Sequence, residues 1–472
     1  MEFRQFLEDR NRRHQVRNLD LLNQIEKGNS EQLKKEIGAN AFGVLKKRLK
    51  DALLDFIGTR KEVQQTKEEQ KLSKWIQLGK HCLDFGYPKD GLTYLLKAEG
   101  LALELDQFWY LNEIYHLLIE HSDLEFIPNQ EALFQKHQEN QMRYNQQENM
   151  NLVYARIKKK FREAEYEGKE VDLEEIIQKS YADLEISDAI GFSLKSLHQL
   201  CYLADVYGAT TLNYYHADQF FEKHIPEDLF TLYRNEQSWK YLIEMGLSLT
   251  NIYFRKRDLN QANHFLKELE RVRERLKGFQ TEEQQSRFLV LQSLVYNFSG
   301  KSDQAIQVLA QNTSNEFPHY LIQAMIQFQQ GEYKAVRSLL AQMNHSDKYY
   351  IPRFGIEMVM RKNMLEILLF LELQDPDYVE SRIQSFLNRF RLELQKNKYA
   401  NVLEFLSLIR YVNQYPEVIS SEEFAVKVNA SLTWKPSEME DIFFISFYAW
   451  LKCKMTKEPL YETTLKLIAI KS

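Results

Sequence analysis

The chain has 472 residues, more than the roughly 250–300 that one compact hydrophobic core holds, so several domains or an elongated repeat is expected. Its 16 glycines and 9 prolines are too few for a β-rich fold, which needs a turn every 8–12 residues or so. A net charge of −5 with mixed signs excludes a chain-wide polyanion-binding surface, and three distant cysteines, Cys82, Cys201 and Cys453, exclude a disulfide framework or a metal cluster of cysteines.

Leu, Glu, Lys, Gln and Arg fill nearly every stretch, and the 29 Phe, 26 Tyr and 5 Trp recur mostly three or four apart, as the knobs of helix-on-helix packing do. An all-α fold follows. The opening residues are charged throughout, unlike a signal peptide, and the longest apolar run, near Phe443–Leu451, is about half the roughly 20 residues of a membrane span. We therefore expect a soluble, cytoplasmic protein without contact to a membrane.

Residues 1–64 read as an N-terminal helical cap. The first fifty hold twelve Lys/Arg against seven Asp/Glu. Within them, residues 30–57 resemble a helix-turn-helix: a short helix, a turn at Gly38, then a helix with Val44 at a core position. Lys46, Lys47 and Lys50 would then face phosphates. Against this, Lys34 stands where the first helix needs a small residue, and Asn40 and Ala41 offer little base readout. The apolar stripe Phe42, Leu45, Leu49, Leu53 and Phe56 is also explained by packing on the next helix.

Residues 65–105 predict two amphipathic helices around a tight turn at Gly86–Pro88, with the proline just inside the second helix, where its missing N–H costs nothing. Gly79 and Gly91 are small residues on facing helices and let the backbones approach. Trp75, Leu78, Gly79, Gly86, Gly91, Leu95 and Ala98 fall at the offsets of a tetratricopeptide repeat, which this segment resembles; Cys82 stands where that pattern usually has tyrosine. Three later segments resemble the unit less closely. They are Leu249, Thr250, Tyr253, Ala262 and Leu266, with Arg257-Asp258 at the turn; Ser293, Tyr296, Gly300, Ala305 and Leu309; and Ala324, Gly331, Tyr333, Val336 and Leu340. A weak fourth surrounds Tyr378 and Ser381. The small position at 262, 305, 336 and 381 steps by 43, 31 and 45 residues, against about 34 in a regular array, so the repeats are irregular.

Residues 129–166 hold no glycine or proline and predict one long, partly solvated helix ending at Glu167-Gly168-Lys169, with a flexible polar linker as the rival reading. The basic cluster Arg156, Lys158, Lys159, Lys160 and Arg162 reads as its solvated face. At the C-terminus, Ser437-Glu-Met-Glu440 after Pro436 reads as a capping box. The helix it opens carries Phe443, Phe444, Phe447, Tyr448, Trp450 and Leu451 and is apolar all round, so it must be buried on two sides. Leu460–Ile470 folding over it as a terminal cap is the favoured expectation; a dimer or partner surface is the rival one.

Chemical motifs are missing from the sequence. There is no His-Glu-x-x-His, no glycine-rich phosphate loop and no Gly-x-Ser-x-Gly elbow, and His116 and His121, five apart, face different sides of a helix. A non-enzymatic role with no metal or cofactor is expected. The resemblance implies an irregular right-handed superhelical solenoid of antiparallel helix pairs over 65–435, between the caps at 1–64 and 436–472. It also implies a concave face that grips a protein or peptide, as a scaffold or adaptor does. From register, the lining residues are Gln77, Lys80, Asp84, Asn251, Arg255, Arg287 and Asn297. The alternative is a ligand-sensing transcriptional regulator that contacts nucleic acid through residues 30–57.

Overall fold

A computed structural model describes residues 2–10, 17–26, 30–59, 67–122, 129–167, 173–211, 213–217, 221–226, 228–232, 235–276, 278, 281–312, 316–395, 399–431 and 442–469. Among them are 24 α-helices, several short 3-10 turns and no strand, so the chain is all-α as expected. No helix among these residues is long and apolar enough to cross a membrane. The backbone divides into two compact units, 1–104 with 113–133 and 105–112 with 134–472. The boundaries expected near 64 and 435 fall outside the described residues.

In the first unit, helices α1 (Glu2–Arg10), α2 (Arg17–Glu26), α3 (Ser30–Ile37) and α4 (Ala39–Thr59) gather around Leu7, Leu21, Leu45 and Leu49. The Phe56 ring lies 5.3 Å from Phe3 and 5.2 Å from Phe6. Leu45, Leu49 and Phe56 of the apolar stripe of α4 thus pack on helices that precede it. Gly38, with φ +84°, is the single residue between α3 and α4. Val44 is 54% exposed, which contradicts the core position a helix-turn-helix would give it.

Helices α5 (Lys67–Asp84) and α6 (Pro88–Glu104) form the expected hairpin. A Cβ on Gly91 would meet Leu83 Cγ at 2.9 Å and the Gly79 carbonyl oxygen at 3.0 Å, so the helix crossing leaves no room for a larger residue. Helices α7 (Phe108–Glu120) and α8 (Gln130–Glu167) carry residues of both units. The second is the long helix expected over 129–166.

The second unit continues with α9 (Leu173–Asp183), α10 (Leu194–Thr211), the single turn α11 (Leu229–Leu232), α12 (Glu236–Arg255), α13 (Leu259–Leu276), α14 (Glu282–Phe298) and α15 (Ser302–Ala310). It goes on through α16 (Phe317–Gln329), α17 (Tyr333–Gln342), α18 (Asp347–Phe354), α19 (Ile356–Glu372), α20 (Pro376–Arg389), α21 (Ala400–Gln414) and α22 (Glu422–Ser431). It closes with α23 (Ile442–Thr456) and α24 (Leu460–Ala469).

One combination of turn and helix crossing recurs five times, once in the first unit and four times in the second, while the same turn without a buried crossing pair stands at Glu185. A helix ends on a residue of positive φ: Gly86, Arg257, Gly300, Gly331 or Gln374. The next N–H reaches back five residues to close the turn, in Tyr87→Cys82, Asp258→Tyr253, Lys301→Tyr296, Glu332→Gln327 and Asp375→Phe370, at 2.7–3.1 Å. This pattern satisfies the carbonyls a helix end leaves open. Five residues beyond each turn residue sits a buried one: Gly91, Ala262, Ala305, Val336 or Val379. Seven residues before it sits its counterpart: Gly79, Thr250, Ser293, Ala324 or Ile367, likewise buried. Where both are small the helices cross closely; Ser293 Oγ donates directly to the Ala305 carbonyl at 3.1 Å. The fourth small position therefore differs from the expected one. Ser381 is exposed, and Val379 is the buried residue in register.

Helix α23 lies in the core of the second unit, with Phe443, Phe447, Tyr448, Trp450 and Leu451 all buried. Phe443 packs edge-on against Phe254 at 5.8 Å, and the Arg361 and Arg255 guanidiniums lie over its ring at 4.1 and 5.1 Å. Trp450 Nε1 donates to Glu372 at 2.6 Å, and Lys454 pairs with the same carboxylate. Helix α24 adds Tyr461, whose hydroxyl donates to the Asn297 carbonyl at 2.6 Å. The described aromatic residues of α23 are thus covered by the chain itself. The capping box at Ser437–Glu440 lies outside the described residues.

Candidate functional site

A polar, aromatic face runs across four helices of the second unit. Residues 151, 154 and 158 of α8 share one side of that helix by their three- and four-residue spacing, as do 198, 202 and 205 of α10 and 241, 244, 248, 251 and 255 of α12. Gln284 and Arg287 of α14 complete it. Most of these residues are half-buried, which places them at a surface that is neither sealed nor fully solvated.

At its centre Asn251 Nδ2 donates to Asp205 Oδ1 at 2.7 Å. Part of Asp205 still reaches solvent, yet its carboxylate is enclosed, and loss of hydration pushes its pKa up. Hydrogen bonds from Asn251 and Ser248, and the charges of Arg287 and Arg255, oppose that rise. Two helical turns along α12, Glu244 accepts from Gln284 Nε2 and Arg287 Nη1, both at 2.8 Å. Gln199 Nε2 donates to Asn151 Oδ1 at 2.9 Å and ties α10 to α8.

Aromatic rings stand beside this network. Tyr154 and Tyr202 meet edge to face at 5.3 Å, with the Lys158 ammonium 5.5 and 5.9 Å from their ring centres. Lys158 therefore caps aromatic surface and does not simply extend into water. Burial, with help from Tyr202 and Glu244, pushes the Tyr154 phenol up to about 12, so it stays a hydrogen-bond donor at neutral pH. His198 lies 5.5 Å from Tyr241; burial lowers its pKa, Glu244 opposing and Lys240 reinforcing the shift, so its ring is neutral at pH 7. Titration is thus perturbed at three neighbouring groups of this face, Asp205, Tyr154 and His198, which makes it a candidate site.

Of the seven residues expected to line a groove, Asn251, Arg255 and Arg287 converge on Asp205. Arg255, however, is only 7% exposed and lies between the rings of Tyr214 (4.5 Å) and Phe443 (5.1 Å), so it braces the core beneath the face. Asn297 is likewise buried and donates to Gln329 Oε1 at 2.7 Å; it is no surface residue. Gln77, Lys80 and Asp84 are exposed along one side of α5, in the first unit. Lys46, Lys47 and Lys50 are exposed on α4.

Asp205, Glu244, Tyr154, Tyr202 and His198 were not among the expected residues. The signal for Asp205 was present: it is the one acidic residue in α10, flanked by buried Leu200, Cys201, Leu203, Ala204 and Tyr207. Among the described residues no group of three His, Cys, Asp or Glu side chains is arranged to hold a metal. No family model, curated protein or solved structure matches this chain.

Proposed function

We propose that the chain is a non-enzymatic helical-repeat scaffold, an irregular right-handed solenoid of tetratricopeptide type, that holds an extended segment of a partner protein on the face around Asp205. The recurrence of one turn-and-crossing unit supports the repeat reading. Units of this kind bury their apolar faces only by stacking on neighbours. The observation that carries the binding reading is the set of three hydrogen-bonded groups along this face, Asn151 with Gln199, Asp205 with Asn251, and Glu244 with Gln284 and Arg287.

An extended main chain presents alternating donors and acceptors, and a row of amide, carboxylate, phenol and guanidinium groups meets both. These side chains are already held by one another on rigid helices, so little rotamer freedom remains to be lost on binding. Tyr154 and Tyr202 add amphipathic surface of the sort that dominates binding energy at interfaces.

The test compares the parent protein with a Tyr202→Ala/Arg287→Glu double variant in retention of proteins from native extract, with nuclease and at two salt concentrations. Arg255 is left intact, because its loss would disturb the core. A protein held by the parent, resistant to nuclease and lost from the folded variant supports the scaffold. Equal retention by both removes this face from the function. Recovery of nucleic acid alone, lost in a Lys46→Ala/Lys47→Ala/Lys50→Ala variant and at high salt, would favour the regulator reading instead.

A further inference from the structure

A second site lies elsewhere in the second unit, where α18, α19 and α20 enclose a cavity of about 240 Å³. We propose that this cavity binds a phosphoryl group. The site stands on its own geometry and would survive the loss of the peptide-binding reading.

Lys362, Arg382 and Arg389 line the cavity and bring three positive charges to it. Two carboxylates oppose them, Asp347 in the wall and Glu366 one turn along from Lys362, which leaves a surplus of one positive charge. Both carboxylates are already engaged. Asp347 Oδ2 accepts from Asn363 Nδ2 at 3.2 Å and from Arg389; Glu366 accepts from the Tyr378 hydroxyl at 2.9 Å and from Arg382.

Lys362 is the decisive residue. It is 8% exposed, yet its ammonium stands 3.7 Å from Asp347 Oδ1 and 3.8 Å from Glu366 Oε2. Both separations exceed hydrogen-bond length, about 2.7–3.2 Å for N–H···O. The ammonium is therefore held by charge, with no protein acceptor at hydrogen-bond length, and its three donors remain open to a ligand in the cavity. The network opens onto a cavity several times the roughly 30 Å³ that one water occupies in the liquid.

A tetrahedral oxyanion fits this arrangement. One oxygen would take the Lys362 donors, while the partly exposed Arg382 and Arg389 approach from α20, on the other wall, with planar forks that match phosphate oxygens in pairs. A phosphate monoester carries close to two negative charges and three acceptor oxygens at neutral pH, which suits three converging cations better than a singly charged carboxylate does. The phosphoryl group could arrive as free phosphate or on a phosphorylated side chain.

The experiment titrates inorganic phosphate into the full-length protein, following phosphorus-31 line width and melting temperature, with chloride holding ionic strength constant. Saturable broadening and a rise in melting temperature are expected in the parent. In Lys362→Met and in Arg389→Gln the affinity is expected to fall tenfold or more, on the order of one charge-assisted hydrogen bond. Each variant is compared with itself with and without phosphate, and Arg389→Gln, at a partly exposed position, keeps the test open if Lys362→Met fails to fold. No response beyond that of chloride, or the same affinity in a folded variant as in the parent, overturns the site. A phosphoserine peptide binding more tightly than free phosphate identifies the source as a modified protein; the reverse order identifies a small phosphate ligand.

Discussion

Replacing Phe443 with alanine is expected to be among the most damaging single changes in the second unit. The ring is buried between Phe254 and Arg255 of α12 and the guanidinium of Arg361 of α19, two elements far apart in sequence from each other and from α23. Truncating a core phenylalanine costs about 3–5 kcal/mol in lost transfer energy and cavity. Two buried guanidiniums would also lose the face of the ring, worth roughly 0.5–2 kcal/mol each when desolvated. The total is about 4 kcal/mol or more. Phe443→Leu keeps most of the volume and loses only the quadrupole, so about 1–3 kcal/mol is expected there. At roughly 2–4 °C per kcal/mol for a unit of 150–250 residues, and somewhat less for a larger one, the alanine variant should melt several degrees below the leucine variant, and the leucine variant below the parent. Scanning calorimetry reads both transitions without assuming a single two-state unfolding. A double-mutant cycle with Arg361→Met should return a coupling of at least about 0.5 kcal/mol. An alanine variant that melts with the parent would show that α23 does not complete this core, and the reasoning would fail.

Two further outcomes follow from burial and charge. Cys201 is fully buried with its thiol pushed up by burial, and Cys453 is buried and pushed up to about 11, whereas Cys82 is half-buried on α5. An aromatic disulfide reagent should therefore modify one thiol rapidly in the native protein and all three after denaturation, and Cys82→Ser should remove the fast phase; a second fast thiol contradicts this packing. Asp205 has a folded-state pKa raised above 3.8, so the native state holds its proton more tightly than the unfolded chain does. Stability of the parent relative to Asp205→Asn should then decline as pH rises from the ordinary carboxylate range through that raised value, and the variant should be the equal of the parent or better at pH 7. Parent stability that gains on the variant over the same rise in pH would mean that Arg287 and Arg255 outweigh the loss of hydration.

Local pattern made much of the fold legible. The crossings at Gly79 and Gly91, Thr250 and Ala262, Ser293 and Ala305, and Ala324 and Val336 stood in the sequence because small residues flank a turn at fixed offsets. The fifth hairpin was legible only weakly, around Tyr378 and Ser381, and its register was off by two residues for a physical reason. Its turn residue is Gln374, which adopts φ +58° without being glycine, and its crossing pair is the larger Ile367 and Val379, so a template keyed to small residues settled on exposed Ser381. At the candidate site, Asn251 and Arg287 were legible because they fall on the outward side of the first helix of a pair. Arg255 and Asn297 share that register and are nevertheless buried, one beneath Phe443 and the other held by Tyr461. Helices α23 and α24 supply that cover from well over a hundred residues downstream, a contact that periodicity within one helix does not encode. Asp205 was overlooked because α10 belongs to none of the turn-marked hairpins.

The most direct test of the scaffold reading is hydrogen–deuterium exchange on the full-length protein, alone and with the protein that the parent retains and the Tyr202→Ala/Arg287→Glu variant does not. Added protection concentrated in α8, α10, α12 and α14 is the expected result. Protection confined to α4, to α5 or to the α18–α20 cavity, with those four helices unchanged, would contradict it.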